Sequence, residues 1–216
     1  MPTTLLFDLD GTLIDSITLI VESARHAFSS RGCPAPSDAE WVAGVGMPLR
    51  TMFEMHAPSP DRVDDLIAGY REYQLENHDR LVTPYPTVVE TLSLLHSRGH
   101  PIAVVTSKVD WLALRGLEHV GLKDFVDLIV GSDATTRHKP DPAPVLHALE
   151  KLGRDPHDAL FVGDSPYDIQ AGNAAGVTSV AALWGPFTRE QLESSEPDFW
   201  LNEMADLPAL IEGLSR

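Results

Sequence analysis

Two carboxylates one residue apart, at the end of an apolar run, are the strongest chemical feature of this chain. Asp8-Leu9-Asp10-Gly11-Thr12 follows directly on Thr4-Leu5-Leu6-Phe7. Such a pair suits a divalent cation held through oxygen, and acid/base work. Gly11 permits the tight turn that brings both carboxylates to one place. Three further stretches carry matching chemistry. Thr106-Ser107-Lys108 offers hydroxyls and a cation after Ala103-Val104-Val105, Lys139 stands in His138-Lys139-Pro140-Asp141-Pro142, and Asp164 and Asp168 follow Leu160-Phe161-Val162-Gly163. Taken singly, each has an ordinary explanation: an acidic turn, a strand end, a solvated loop lysine and two helix-capping acids. Taken together they require a scaffold that brings four separate segments to one edge.

The pattern of the chain supplies that scaffold. Nearly continuous apolar runs at residues 4–9, 102–106, 127–131, 160–163 and 178–182 are rich in Val, Ile and Leu. Runs of this length without alternation read as strands covered on both faces. Helical patterns lie between or after them, at residues 87–98, 109–120, 144–152, 168–175 and 188–194. Strand and helix in alternation imply right-handed crossovers and a mostly parallel sheet. In an open parallel sheet the ligand crevice lies at the carboxyl ends of the strands, where all four segments fall.

Residues 15–82 break the alternation. Ile17, Ile20, Val21, Ala24, Ala27 and Phe28 line one helix face, which Gly32 ends. Ser37 with Glu40 has the spacing of a capping box, Pro48 suits the first position of another helix, and Ser59-Pro60 opens a longer one. The block contains no strand candidate. The fold class expected is therefore α/β, with a Rossmann-like parallel sheet core at residues 1–14 and 83–216 and an inserted all-helical cap at 15–82. The loops flanking the insert, near Leu13–Ser16 and Thr83–Pro86, would form its hinge.

Composition narrows the class of function. Hydrophobic residues make up 43% and charged residues 22% of 216, the usage of an ordinary globular protein. Sixteen basic against 32 acidic residues give a net charge of −16, which opposes wrapping nucleic acid or docking on an anionic surface. An anionic substrate would need local cations or a metal. Cys33 stands alone, so no intrachain disulfide can form. The N-terminal residues carry no basic region before Asp8, and the uncharged stretch 169–188 is interrupted by Gln170, Asn173, glycines and Pro186. A cytoplasmic protein is expected, with neither signal peptide nor membrane span, as monomer or homodimer.

The four segments resemble the motifs of the haloacid dehalogenase superfamily of aspartate-nucleophile phosphotransferases. Asp8 and Asp10 match the first, Thr106 the second, Lys139 the third, and Asp164 with Asp168 the fourth. The stretch Gly163 to Gly176 reads Gly-Asp-Ser-x-x-Asp-Ile-x-Ala-Gly-x-Ala-Ala-Gly and is most similar to the phosphoglycolate phosphatase branch. The insert also sits where that family's first type of cap sits.

The resemblance implies a phosphatase of small phosphorylated metabolites that works through an aspartyl-phosphate on Asp8. Asp10 would serve as acid and then base. Thr106, Ser107, Lys108, Lys139 and backbone near Gly11 would hold phosphoryl oxygens. Mg²⁺ would sit among Asp8, Asp10, Asp164 and Asp168. In the cap, Gly46 would allow close approach, and Arg50 would meet a second anionic group on the substrate. A phosphomutase of the β-phosphoglucomutase type uses the same core residues, and a phosphoaccepting receiver-like module also combines Asp, Thr and Lys. The latter is smaller and lacks an insert after its first strand.

Overall fold

The computed structural model describes residues 3–214. Its strands are β1 (Thr4–Phe7), β2 (Ile14–Asp15), β3 (Thr83–Pro84), β4 (Ile102–Val105), β5 (Leu128–Val130), β6 (Ala159–Gly163), β7 (Thr178–Ala182) and β8 (Phe199–Leu201). Six of them form one parallel sheet in the order β5-β4-β1-β6-β7-β8. Strand β1 is central, with β4 on one side and β6 on the other. Its register sets Leu5 beside both Ile102 and Leu160. The order reverses at β1, which opens the crevice for a ligand where that strand ends.

Helices on both faces explain why β1 is buried at every position. Leu5 and Phe7 point into a core shared with α5 (Val88–Ser97) through Val88, Leu92 and Leu95. Leu6 points the other way, toward Val145, Ala148 and Leu149 of α7 (Ala143–Leu152). Each such side chain contributes about 1.5–3 kcal/mol through burial. The core helices are completed by α6 (Asp110–His119), α8 (Pro166–Ala175), α9 (Arg189–Glu193) and α10 (Leu207–Leu214). Helix α8 begins with a capping box in which the Ser165 hydroxyl and the Asp168 carboxylate serve each other's backbone. Asp168 is thus a capping acid and a member of the acidic cluster at once.

The segment between β2 and β3 holds α1 (Ile17–Ser30), α2 (Asp38–Val42), α3 (Leu49–His56) and α4 (Val63–Leu81). These helices bury an aromatic cluster of Phe28, Trp41, Phe53 and Tyr70, in a core that continues onto the sheet layer through Ile169 of α8, Ala181 of β7 and Leu192 of α9. Strands β2 and β3 pair antiparallel, Ile14 with Pro84 and Asp15 with Thr83, so the segment leaves and rejoins the sheet at one point. The Ser37–Glu40 capping box is present. Pro48 is the residue before the helix rather than its first residue, and Ser59-Pro60 opens a short 3-10 turn ahead of α4.

Beyond the short pair β2 and β3, which occupies the expected hinge loops, β8 and α10 lie outside the patterns expected from sequence. Strand β8 has three residues, too few for a periodic signal, and its register is held by Asp198, whose carboxylate accepts from the Ser179 amide at 2.9 Å. No helix among the described residues is long and apolar enough to cross a membrane.

Candidate active site

The carboxyl ends of β1, β4 and β6 converge on a buried group of acids and lysines. Asp8 continues the ladder past β1, its amide donating to the Val162 carbonyl at 2.9 Å. The Lys139 ammonium donates to Asp8 Oδ1 at 2.7 Å, to Asp168 Oδ1 at 2.6 Å and to the Val105 carbonyl at 3.2 Å. An ammonium has three donors, and here each has an acceptor. Lys139 is therefore a strut between the first and fourth acidic segments. Asp168 Oδ2 is committed to Ser165, accepting from its amide at 3.0 Å and its hydroxyl at 2.6 Å.

Asp10 is held separately. Its Oδ1 accepts from Ser16 Oγ at 2.5 Å and from Lys108 Nζ at 2.6 Å. The Lys108 amide donates to Thr106 Oγ1 at 3.1 Å, which folds the segment after β4 back over the strand end. Asp164 Oδ1 accepts from the Thr12 hydroxyl at 2.6 Å, whereas its Oδ2 is buried with no hydrogen-bond partner. Gly11 has φ +95°, and a Cβ there would collide with the Asp164 carboxylate. Glycine is required at this turn on both counts.

Four buried carboxylates against two ammonium groups leave an excess of negative charge. Burial, then the neighbouring Asp168, raises the Asp8 pKa to about 7 even though Lys139 opposes it. The same two causes, burial first, push Asp164 well above the usual carboxylate range. Oxygens of Asp8, Asp164 and Asp168 lie within 4.8 Å of one another. An all-oxygen cluster with surplus negative charge and one orphaned carboxylate oxygen fits a hard divalent cation.

Above these residues lies a cavity of about 60 Å³, between the sheet edge and the helical segment. Asp8, Asp10, Thr106, Ser107 and Lys108 form its floor, and Gly46 belongs to its roof. Asp164, Asp168 and Lys139 sit beneath the floor. Arg50 is elsewhere: its side chain is 57% exposed and pairs with Asp64 on the outer surface. The roof cation is instead Arg71 of α4, accompanied by Tyr70 and Gln74. Tyr70 belongs to the apolar pattern of this helix in the sequence, whereas Arg71 and Gln74 do not stand out there, although a signal for the latter is present. The buried stripe Leu66–Tyr70 continues at four-residue spacing into Gln74 and His78, and polar groups on a buried stripe ask for a partner.

Comparison with known proteins agrees with this architecture. The sequence matches the haloacid dehalogenase-like hydrolases over residues 5–182. Among similar proteins, Pyrophosphatase PpaX of Bacillus pumilus is 42% identical over 208 residues, covering 96% of this chain and 95% of that protein. The protein of the same name from Anoxybacillus flavithermus is 38% identical over 213 residues, with 99% and 98% covered. A solved structure from Haemophilus somnus, described as a predicted phosphoglycolate phosphatase, superposes with TM-score 0.87 at 27% identity, covering 97% of each chain. A haloacid dehalogenase-like hydrolase from Streptococcus pneumoniae gives 0.85 at 27% identity, covering 97% of this chain and 98% of that one. The chain belongs to the haloacid dehalogenase-like hydrolase family, and within it is a phosphatase.

Proposed function

We propose that the protein is a Mg²⁺-dependent cytoplasmic phosphatase that hydrolyses a compact phosphorylated substrate through an aspartyl-phosphate on Asp8. The observation that carries this reading is the state of the Asp8 carboxylate. Lys139 holds Oδ1, while Oδ2 accepts no hydrogen bond among the described residues and Asp8 lines the cavity. That oxygen attacks phosphorus, the bond from phosphorus to the leaving oxygen breaks, and the leaving oxygen takes a proton from Asp10. Water then attacks the aspartyl-phosphate, Asp10 removes its proton, and inorganic phosphate and the Asp8 carboxylate are regenerated.

Each neighbour has a part in these steps. Ser16 and Lys108 restrain Asp10 through one oxygen, which keeps the other available for the proton. Thr106 and the backbone after β1 face the phosphoryl oxygens. Lys139 keeps Asp8 and Asp168 from repelling one another. Asp8, Asp164 and the Asp10 carbonyl would hold Mg²⁺, with Asp168 alongside. When bound, the ion offsets charge on the phosphoryl oxygens.

The small cavity favours a compact leaving group. Relatives named pyrophosphatases make inorganic pyrophosphate the first compound to test, and phosphoglycolate the next. Phosphate release should be measured over a panel of phosphorylated metabolites, with Mg²⁺ and with EDTA. Turnover that needs Mg²⁺ and is abolished in Asp8→Asn is the expected result. Metal-independent turnover, or an active Asp8→Asn, would refute the mechanism; interconversion of sugar phosphates without phosphate release would indicate a mutase.

A further inference from the structure

The roof of the cavity is apolar but for one place. Ile20, Val45, Met47, Leu49 and Met52 present hydrocarbon, and the exception is Arg71 with Gln74 beside it. The Arg71 guanidinium donates to the Gln74 side-chain oxygen and lies 5.9 Å from the centre of the Tyr70 ring. Gln74 and Tyr70 are themselves 2% and 3% exposed, so the arginine is held by a rigid base.

The charge balance around Arg71 is incomplete. Lys108 is paired with Asp10, and Lys139 with Asp8 and Asp168. Among the described residues Arg71 makes no ion pair with a carboxylate, although burial disfavours its charged form. Arginine does not escape that cost by losing its proton. A half-buried guanidinium without a counter-ion, in a chain with 32 acidic residues, is a site prepared for an anion from outside.

We infer that Arg71, braced by Gln74 and Tyr70, binds a second anionic group on the leaving portion of the substrate. It thereby selects compact molecules in which the transferred phosphoryl group has a phosphate or carboxylate close by. This rests on the phosphatase reading above and adds to it the residue that sets specificity. The geometry agrees with the chemistry. The phosphoryl group belongs at the floor over Asp8, so the leaving group points at the roof, where Arg71 is the cation available. Asp8 and Arg71 line the same cavity, of about 60 Å³, which suits a second anion close to the phosphoryl group.

The test compares substrates within one variant. For the wild type, Arg71→Met and Arg71→Lys, kcat/KM is measured on pyrophosphate, phosphoglycolate and p-nitrophenyl phosphate, whose leaving group lacks the second anion. In Arg71→Met the ratio of kcat/KM for pyrophosphate or phosphoglycolate to that for p-nitrophenyl phosphate should fall roughly 10- to 100-fold. Arg71→Lys should recover part of the loss. The substrate whose ratio falls further identifies the anion as phosphate or carboxylate. Unchanged ratios for both, including an equal loss on all three substrates, would overturn the inference.

Binding provides a readout independent of turnover. Calorimetry with methylenediphosphonate and methylphosphonate should show the bisphosphonate losing affinity selectively in Arg71→Met, with near-ultraviolet circular dichroism confirming the fold. Equal changes in the two affinities would also overturn the role of Arg71. A wild type that binds the bisphosphonate through Arg71 but releases no phosphate from any substrate would refute the phosphatase reading and, with it, the role of Arg71 toward a leaving group, while sustaining Arg71 as an anion site.

Discussion

The Gly46 carbonyl accepts a hydrogen bond of 2.5 Å from the Ser107 hydroxyl, joining the helical segment to the sheet edge directly above the acidic cluster. Gly46 has φ +103°, and a Cβ there would lie 2.7 Å from Ser165 Oγ and 2.9 Å from Tyr167. The contact therefore requires both the backbone freedom of glycine and the absence of a side chain. Gly46→Ala should weaken this closed arrangement by about 1–2 kcal/mol from backbone strain alone, with the collision added. We expect kcat/KM to fall about tenfold or more, with a smaller effect on the melting temperature, because Gly46 itself places no side chain in the aromatic core that its neighbours Val45 and Met47 join. Steady-state kinetics and thermal melts distinguish this from unfolding, and full activity in Gly46→Ala would show that the contact is dispensable.

Lys139 should behave as a structural strut. It is 3% exposed and its three hydrogen bonds all run to protein acceptors. Removing one partner of a buried ion pair costs roughly 3–5 kcal/mol, because the remaining charge is left unpaired. Lys139→Met is expected to lower the melting temperature in metal-free buffer by several degrees and to abolish turnover. Adding Asp8→Asn to it removes one of the stranded carboxylates, so the double variant should melt higher than Lys139→Met while staying inactive. Additive destabilisation in the double-mutant cycle would contradict the coupling.

The core of this site was legible because its chemistry and its fold point to the same edge. Asp8, Thr106 and Asp164 each follow a run of apolar residues, and runs of that kind end at the carboxyl edge of a parallel sheet. The residue above them was not legible in the same way. Arg50, beside the glycine loop, looked the better cation from sequence, yet on α3 it faces solvent and Asp64, while Arg71 on α4 turns inward. Which face of a helix meets the sheet depends on how four helices pack on one another, and neighbouring positions in sequence do not encode it. The same holds for β8, whose three residues are placed by a side-chain clamp from Asp198 rather than by a pattern of their own.

Metal affinity and proton transfer should separate between Asp164 and Asp10. Asp164 has a buried oxygen with no partner, and both Gly11 and Gly185 are glycines that leave room for its carboxylate. Asp10 Oδ1 is occupied by Ser16 and Lys108. Asp164→Asn should raise the Mg²⁺ concentration for half-maximal activity at least tenfold. Asp10→Asn should lose most turnover while binding Mg²⁺ within about threefold of the wild type. Calorimetric Mg²⁺ titration of both variants tests this, and equal metal affinities would contradict the division of roles.

His78 should make stability depend on pH where the helical segment meets the sheet. It lies on α4 with 1% exposure, its ring 5.8 Å from that of His119 on α6. Nδ1 meets the Asp79 carboxylate at 2.7 Å, and Nε2 is buried without a partner. Burial is the main cause that lowers its pKa from the ordinary 6.5. The Asp79 hydrogen bond opposes that shift, and the Lys108 and Arg115 charges add to it. A histidine with a depressed folded pKa binds fewer protons in the folded state than in the unfolded one. Its contribution is present above about pH 6.5 and is lost as the pH falls through the folded pKa. Asp8, raised to about 7, acts in the opposite sense: the metal-free folded state loses stability as the pH rises from about 4 toward 7. The difference between wild type and His78→Gln, both in EDTA, isolates the histidine. The wild type should lose more stability than His78→Gln between pH 7.5 and 5.5 in denaturant titrations. Parallel stability profiles over that range would mean that His78 protonation is not linked to folding.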